Sequence, residues 1–142
     1  MPIEEWANLY TAYAVMHKEC DRALSARGIT VPQASVIGLL GVAGRPLPVT
    51  RLARLLTQES QSATSLVDRM CASELVERVK DPEDRRVVLV QLTHKGKEVY
   101  EILRSTAPAF TDEMLSVLSP DERATLQDLL RKFTLRNIQR LR

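Results

Sequence analysis

Two adjacent arginines stand in the middle of a strand-rich segment of this 142-residue chain. In the segment 76–96, β-branched and aliphatic residues lie on both sides of DPEDRR at 81–86, a pattern typical of two strands joined by a turn. Pro82 fixes φ for such a turn, and the side chain of Asp81 can cap it. Guanidinium groups on a narrow β tip suit the minor groove of DNA, where the potential is most negative. We therefore expect Arg85 and Arg86 to contact DNA; surface ion pairs on a solvated hairpin are the alternative interpretation.

The segment before this hairpin, residues 47–75, predicts a short extended piece, two short helices at 50–56 and 60–73, and a turn between them. The second helix has apolar residues at steps of three and four, which would pack inward: Ala63, Leu66, Val67 and Met70. Its opposite face has small polar side chains, which let a helix approach base edges closely. The candidates for base or phosphate contact on that face are Gln61, Ser62, Ser65 and Arg69. In the first helix, Arg51 and Arg54 either contact phosphates or are simply solvated.

Apolar residues at helical spacing predict four more helices, roughly 3–27, 31–43, 94–117 and 120–140. Capping-box spacing marks two of the helix starts, at Thr30 with Gln33 and at Ser119 with Glu122, and Thr93 is expected to cap a third. The apolar faces at the two chain ends are more than a monomer would cover, so we expect a homodimer about a two-fold axis. The fold class predicted is mainly α with a small β wing: a winged helix-turn-helix head with N- and C-terminal dimerisation helices.

Composition narrows the class of protein. The chain is 44% hydrophobic and 27% charged, which suits one globular domain. A formal net charge of +2 does not by itself indicate nucleic acid, but the positive excess lies in the segment 45–97, which has ten basic and seven acidic residues. No apolar run approaches about 20 residues. The N-terminal MPIEEW lacks a basic region before an apolar stretch, so we expect neither a membrane span nor a signal peptide.

The residue types that carry catalysis or bind metals are sparse. Cys20 and Cys71 lack metal-ligand spacing, and two thiols without a disulfide framework fit a reducing cytoplasm. The chain has two histidines, no glycine-rich phosphate loop and no nucleophile motif. We therefore expect no catalytic residue, no metal site and no cofactor.

The first two predicted helices carry candidates for a ligand cavity. His17 lies one helical turn from Tyr13, and part of the second helix is expected to face the same space. The candidate ligand-contacting residues are Tyr13, His17, Gln33, Ile37 and Leu40. A satisfied interface residue is the alternative for His17. Cys20 falls on the inward stripe of the first helix, where a cysteine is usually an inert small hydrophobic residue; redox sensing by Cys20 or Cys71 is the alternative.

The order of elements and the wing sequence together resemble the MarR family of bacterial transcription regulators. The resemblance extends over essentially the whole chain. Its most specific part is DPEDRRVVLVQLTHKG at 81–96, close to the family's wing pattern of DPxDRR, aliphatic residues and LTxKG. Thr64, Asp68 and Arg69 also match the family's pattern in its recognition helix. Two residues differ from the family pattern. Ser65 stands where many relatives have an arginine, and Glu74 stands where the family usually has a glycine that ends this helix.

The resemblance implies an obligate homodimer that binds a pseudo-palindromic operator in double-stranded DNA, usually as a repressor. It implies release by a small aromatic or anionic compound or by thiol oxidation. Carried onto this sequence, Arg85 and Arg86 are the wing arginines, Asp84 is the acid that positions an arginine, and 61–65 lies in the major groove. It further implies one domain, 1–142, with dimerisation helices at about 3–27 and 94–142 and the winged head at about 31–93.

Two alternatives stand beside the ligand-released repressor. One is a repressor of the same fold that senses thiol oxidation, and the other is a dimeric interaction protein without DNA binding. The salt dependence of DNA affinity separates the interaction protein from both kinds of repressor. The affinity of a DNA-binding protein falls steeply with salt, because each neutralised phosphate releases counterions.

Overall fold

The computed structural model describes residues 2–56 and 60–140. Its elements follow the predicted order closely and confirm the fold class, mainly helical with a small antiparallel sheet. They are α1 (Ile3–Ser25), α2 (Val31–Ala43), β1 (Leu47–Pro48), α3 (Val49–Leu55), α4 (Ser60–Ala72), β2 (Val76–Lys80), β3 (Val88–Leu92), α5 (His94–Met114) and α6 (Pro120–Arg140). The turn predicted between α3 and α4 falls on 57–59, outside the described residues.

The chain divides into two compact units, Met1–Ser105 and Thr106–Arg142, and the boundary falls within α5. In the first unit, α2 begins as predicted. The backbone N–H of Thr30 donates to Gln33 Oε1 (3.0 Å), and the N–H of Gln33 donates to Thr30 Oγ1 (3.4 Å). This reciprocal pair satisfies two of the free donors at the helix start. At its other end, Gly44 adopts φ +60°, the left-handed conformation that closes a helix at low cost.

The wing is a three-stranded sheet in the order β1-β3-β2. β2 pairs antiparallel with β3, with Val76 opposite Leu92, and β1 pairs with the other side of β3, with Leu47 opposite Val90. The short extended piece predicted at the start of the segment 47–75 is therefore an edge strand of two residues, Leu47–Pro48, and Val49 already belongs to α3. Pro48 is tolerated there because an edge strand has one side without ladder hydrogen bonds.

The core of the first unit gathers apolar residues from α2, the three strands, α3 and α4. It is aliphatic, as the low aromatic content of 4% requires. Its buried members are Val36, Ile37, Leu40, Leu47, Leu52, Leu66, Val67, Met70, Leu75, Val76, Val90 and Leu92. Each element of the winged head thus turns its apolar side inward, which leaves the opposite sides of α3, α4 and the hairpin free for a partner.

Helix α1 differs from these elements. The structure describes all of it, and none of its residues is buried. Trp6 is 53% exposed and stacks on Tyr10 with ring centroids 5.2 Å apart. Most of the apolar stripe predicted for this helix, from Trp6 to Met16, is therefore exposed, and only its last members, Cys20 and Leu24, are partly covered.

The start of α5 shows what the threonine and glycine of the wing sequence do. Thr93 Oγ1 accepts a hydrogen bond from the N–H of Gly96 (3.0 Å), which confirms the predicted cap. The same hydroxyl donates to the carbonyl oxygen of Glu74 (2.5 Å). A Cβ added at Gly96 would lie 2.0 Å from the carbonyl oxygen of Leu75, so this position requires glycine. The helix runs to Met114, three residues short of the predicted end at 117.

The second unit is organised by a capping box and one arginine. Ser119 and Glu122 exchange hydrogen bonds of 2.8 and 3.3 Å, which confirms the predicted start of α6. These bonds lower the pKa of the Glu122 carboxyl. The guanidinium of Arg123 contacts Asp112 Oδ1 (2.9 Å) and donates from Nε to the carbonyl oxygen of Leu115 (3.0 Å). One α6 side chain thus satisfies groups at the end of α5.

The turn between α4 and β2 contains a strained residue. Glu74 has φ +60°, the one non-glycine residue with positive φ among those the structure describes. The Cβ of such a residue crowds its own backbone at a cost of about 1–2 kcal/mol. The strain is tolerated because neighbouring bonds fix this stretch. The N–H of Leu75 donates to Met70 O (3.0 Å), and Lys95 Nζ donates to Ser73 O (2.8 Å).

Replacing Glu74 by Gly should stabilise the protein. Glycine adopts positive φ freely, and after its larger entropy in the unfolded chain is subtracted we expect a gain of about 0.5–1 kcal/mol. Urea unfolding measures it. Glu74→Ala is the matched control, because it removes the same charge from the helix end but keeps Cβ. If the alanine variant gains as much stability as the glycine variant, the backbone is not the source of the effect.

Candidate nucleic-acid interface

Helix α4 presents one polar face to solvent from Gln61 to Arg69. Its predicted inward residues are all buried: Ala63, Leu66, Val67 and Met70. The residues proposed for DNA contact are all exposed: Gln61, Ser62, Thr64, Ser65 and Arg69. Asp68 lies on the same exposed face. The 13-residue helix is therefore held by its apolar side and keeps a row of short polar side chains for a partner.

Helix α3 supports α4 and adds two cations to the same head. Leu52 and Ala53 are buried, while Arg51 and Arg54 are exposed. Neither arginine forms an ion pair with any residue the structure describes. Their side chains are therefore available to phosphate groups.

Hydrogen bonds to two aspartate side chains hold the turn at the tip of the wing. Asp81 Oδ1 accepts the N–H of Glu83 (2.8 Å), and the backbone of Asp81 is bonded to that of Val87 (3.0 Å). Asp84 holds Arg86 in three ways. Its Oδ1 accepts the backbone N–H (3.0 Å) and Nε (3.1 Å) of Arg86, and its Oδ2 accepts Nη2 (3.2 Å). This bidentate geometry fixes the direction of the guanidinium.

The two wing arginines are therefore not equivalent. The Arg86 side chain is held by Asp84 yet remains 90% exposed. Arg85 is exposed and makes no hydrogen bond or ion pair within the described parts of the chain. Hydrogen bonds from the side chain and then the backbone of Arg86 hold the pKa of the Asp84 carboxyl below its usual range. Because a depressed pKa keeps this carboxylate charged at neutral pH, the link to Arg86 weakens only as the pH falls through that lowered value.

A further arginine, missed in the sequence, joins the wing to α4. Arg78 on β2 places Nη2 at 2.7 Å from Asp68 Oδ1 and Nη1 at 3.7 Å from the sulfur of Cys71. In the sequence, Asp68 matches a family pattern but has no visible partner. The pairing depends on the sheet register that brings β2 beside the end of α4, and no local spacing in the sequence reports it.

The five residues proposed for a ligand cavity do not line one space. Tyr13 is exposed and lies 5.6 Å from the ring of His17. Gln33 uses its side chain in the α2 cap, and Ile37 is fully buried in the core. Leu40, almost fully buried, is the only one of the five that lines the cavity of about 280 Å³ found in the first unit. Their contact with a ligand stays a prediction.

The two cysteines are both partly buried and free. Burial, and then the neighbouring charge of Glu19, raise the pKa of the Cys20 thiol. A raised pKa keeps the thiol protonated at neutral pH and makes it a poor nucleophile. This favours the inert role expected for Cys20 over a redox role.

The described residues hold no centre for metal chemistry. Within 2–56 and 60–140, no group of three or more His, Cys, Asp or Glu side chains is placed to hold a metal ion. Among the helices described, none is long and apolar enough to cross a membrane. What the structure assembles is an exposed polar helix face beside a β wing with two exposed arginines, Arg85 and Arg86, at its tip, the arrangement of a winged helix-turn-helix DNA-binding protein.

The chain belongs to the MarR family of transcription regulators. The MarR family model matches residues 27–87. BadR of Rhodopseudomonas palustris, named a transcriptional activatory protein, is 36% identical over 137 residues, which cover 94% of this chain and 77% of BadR. MarR of Salmonella typhimurium, named a multiple antibiotic resistance protein, is 34% identical over 110 residues, covering 77% of this chain and 76% of MarR.

Solved structures agree with this assignment. The crystal structure of a mutant of MarR from E. coli complexed with operator DNA matches with a TM-score of 0.83 and 26% identity, covering 92% of this chain and 94% of that one. The predicted family and the expectation that the chain is not an enzyme are both confirmed, because the relatives are transcription regulators. The chain is a DNA-binding transcription regulator.

The Arg78–Asp68 link yields a test of how the wing is positioned. Asp68→Asn should weaken operator binding by about threefold to tenfold, because an unheld wing must be ordered on binding. Both side chains are partly exposed, so the loss of folding stability should stay below about 1 kcal/mol. Fluorescence anisotropy with labelled operator DNA and urea unfolding measure the two effects.

Two comparisons make this test specific. Asp68→Asn combined with Arg78→Gln should be no worse than Arg78→Gln alone, because both remove one link. Glu77→Gln is the matched control, since that carboxylate bonds to Gln91 (2.7 Å) and not to α4. If Asp68→Asn tightens operator binding, its negative charge near the phosphates outweighs any positioning role.

Proposed function

We propose that this protein is a homodimeric repressor that binds a pseudo-palindromic operator and is released by a small ligand. The observation that carries the proposal is the joint presentation of the α4 polar face and a wing whose Arg86 is held in place but exposed. The relative crystallised with operator DNA supports the same role. Operator DNA in a bacterium lies in the cytoplasm, and we place the protein there.

In this proposal α4 lies in the major groove. Gln61, Ser62 and Ser65 contact base edges or phosphates, with Thr64 and Arg69 beside them. Because Ser65 is short where many relatives have an arginine, the helix reads bases there by close approach rather than by a bidentate guanine contact. Arg51 and Arg54 add phosphate contacts that orient the head without reading sequence.

The wing enters the adjacent minor groove through Arg86. Its bonds to Asp84 leave Nη1 unused and fix the guanidinium before DNA arrives, so little side-chain entropy is lost on binding. Arg85 has no such partner in the described structure and contacts a phosphate as a mobile charge. Asp84, already paired, adds less repulsion to the phosphates than a free carboxylate would.

Selection of genomic DNA fragments by the purified full chain at moderate salt tests the function. We expect enrichment of one near-palindrome whose half-sites are one DNA turn apart. The variant with both Arg85→Ala and Arg86→Ala should remain folded and lose this enrichment. Retention of no fragment, or unchanged enrichment by the double variant, would contradict the proposal or its assignment of the wing.

The single variants separate the two arginines on the selected operator. Arg86→Ala should cost about 1–3 kcal/mol of operator binding. Arg85→Ala should weaken binding to all DNA sequences alike, and it should reduce the slope of log affinity against log salt concentration by about one. Asp84→Asn should fall between wild type and Arg86→Ala, because it leaves Arg86 present but unheld. If Arg85→Ala has the larger specific effect, the roles are reversed.

The dimer is proposed from apolar faces that each unit leaves exposed. In α1, Trp6 and Tyr13 are more than half exposed. In α6, Leu129 is 60%, Leu130 48% and Phe133 55% exposed. Faces of this kind are rare on monomers and typical of obligate interfaces, where a second copy covers them. The functional domain we propose is 1–142, with helices at about 3–27 and 94–142 pairing and the head at about 31–93 binding DNA.

Leu130→Glu should break the dimer, because it places a charge on the apolar face of α6. Sedimentation velocity should show a monomer where the wild type sediments as a dimer. Ala124→Glu is the matched control, since helical geometry places that exposed residue on roughly the opposite face of α6. A Leu130→Glu variant that still sediments as a dimer would show that this face is not the interface.

The regulatory part of the proposal has two states. In one state the two α4 helices of the dimer match successive major grooves, and in the other they do not. An effector shifts the balance only if it binds the second state more tightly. Repression follows when the operator overlaps a promoter. BadR carries the name of an activator, and this chain would also activate transcription if its operator lay upstream of the promoter.

A further inference from the structure

The first residues of α5 donate hydrogen bonds to three consecutive carbonyl oxygens in the turn that follows α4. Lys95 Nζ donates to the carbonyl oxygen of Ser73 (2.8 Å). Thr93 donates from Oγ1 to that of Glu74 (2.5 Å) and from its backbone N–H to that of Leu75 (3.2 Å). The carbonyl groups at the end of a helix have no partner inside the helix, and a cation is favourable beside them. We call these three bonds the α4–α5 clamp.

The clamp differs in kind from the apolar contacts between α5 and the winged head. Val99, Tyr100 and Leu103 on α5 are partly buried against the core of the head. Apolar burial is not directional, so these contacts resist separation of α5 from the head more than a small change in angle. A hydrogen bond weakens steeply when it is bent, so the three bonds of the clamp also hold a direction. The clamp therefore sets the angle at which α5 leaves the head.

This angle has a large effect at the end of α4 that is proposed to read DNA. Residues 61–65 lie in the first turns of α4, whereas the clamp lies just past its last residue, Ala72. At about 1.5 Å per residue, Gln61 is about 17 Å from Ala72 along the helix. A rotation of about 10° at the clamp would therefore move Gln61 by about 3 Å, close to the rise of about 3.4 Å per base pair. A small change at the clamp is enough to move a reading helix from one base pair to the next.

We propose that Lys95 and Thr93 are positioning residues for DNA binding, which fix through the clamp the half-site spacing that the dimer accepts. The proposal rests on the proposed homodimer, in which α5 belongs to the part that pairs (94–142). In that dimer the angle between α5 and the head decides how far apart the two α4 helices lie. Neither residue contacts DNA in this role. Lys95 is the better residue to change, because it is exposed and its bond goes to a backbone atom, so its replacement leaves the apolar core unaltered.

Operators of altered spacing test the proposal with the variant Lys95→Met. Fluorescence anisotropy measures the affinity of the full chain for the selected operator and for copies with one or two base pairs added between the half-sites. Wild type should strongly prefer the native spacing, because each added base pair moves one half-site by about 3.4 Å and turns it by about 35°. Lys95→Met should lose about threefold to tenfold of that preference, because the clamp loses its charged bond. Lys95→Arg, whose guanidinium can still donate to the carbonyl oxygen, should retain most of it.

Lys97→Met is the matched control. Lys97 lies on the same helix, is exposed, and its side chain forms no hydrogen bond or ion pair within the described part of the chain. The control removes the same charge from nearly the same place and should keep the native spacing preference. Thr93→Val removes the bond to Glu74 and the cap of α5 together and should also flatten the preference, whereas Thr93→Ser keeps the hydroxyl. Thermal unfolding checks that each variant is folded, and the lysine variants decide the proposal if Thr93→Val does not fold.

Two results of the spacing experiment would overturn the proposal. If Lys95→Met prefers the native spacing as strongly as Lys97→Met does, the clamp does not set the spacing. The other result is that Lys95→Met weakens binding to every spacing and to a single half-site alike. If it also reduces the slope of log affinity against log salt concentration by about one, Lys95 contacts a phosphate group instead.

Hydrogen exchange of the free protein, followed by NMR, tests the clamp without DNA. The N–H of Thr93 loses its acceptor at Leu75 when the clamp opens. Its exchange rate should therefore rise by about threefold or more in Lys95→Met relative to Lys97→Met. Equal rates in the two variants would show that Lys95 does not hold the clamp. If wild type shows no spacing preference, the proposed dimeric repressor fails and the spacing role fails with it, whereas the exchange rates still decide whether Lys95 holds α5 to α4.

Discussion

The short junction at the end of α4 is the constraint on which the DNA-binding head depends. Thr93 bonds to the backbone of Glu74 (2.5 Å) and Leu75 (3.2 Å), and it also caps α5. Gly96 allows α5 to begin against the Leu75 carbonyl oxygen. Recognition helix, wing and α5 therefore meet within a few residues. The bond from Thr93 to the Glu74 carbonyl oxygen also helps to hold the strained Glu74 in place.

Apolar side chains are well buried in the winged head but exposed on α1 and α6. The first group stabilises the fold of the head, and the second is available for assembly. The winged head encloses an aliphatic core built from six of the nine elements that the structure describes, so it has the interior it needs. Helix α1 has no buried residue, and α6 leaves Leu129, Leu130 and Phe133 largely exposed. Removing such surfaces from water is worth about 25 cal/mol per Å². The head has a complete core, whereas α1 and α6 leave apolar faces exposed. This difference favours a protein in which a second copy of the chain covers those helices.

Local patterns predicted most of the fold, and long-range contacts account for what they missed. Capping boxes depend on residues three apart, so Thr30–Gln33 and Ser119–Glu122 were visible in the sequence. The α4 faces follow from helical spacing alone. The Arg78–Asp68 pair and the cavity beside Tyr100 depend on sheet register and helix packing. The ligand contact expected of Ile37 stays a prediction, because periodicity marks an inward face without saying whether core or cavity lies there.

The arginines of this protein divide by whether the fold gives them a partner. Arg78 and Arg86 are held by carboxylates, and both lie where geometry matters, at the link to α4 and at the wing tip. Arg85 and Arg45 have no ion partner among the described residues, and each faces a surface that an anion can reach. A net charge of only +2 therefore says little about function. Which cations the fold fixes and which it leaves unpaired says more about where an anion can approach than the net charge does.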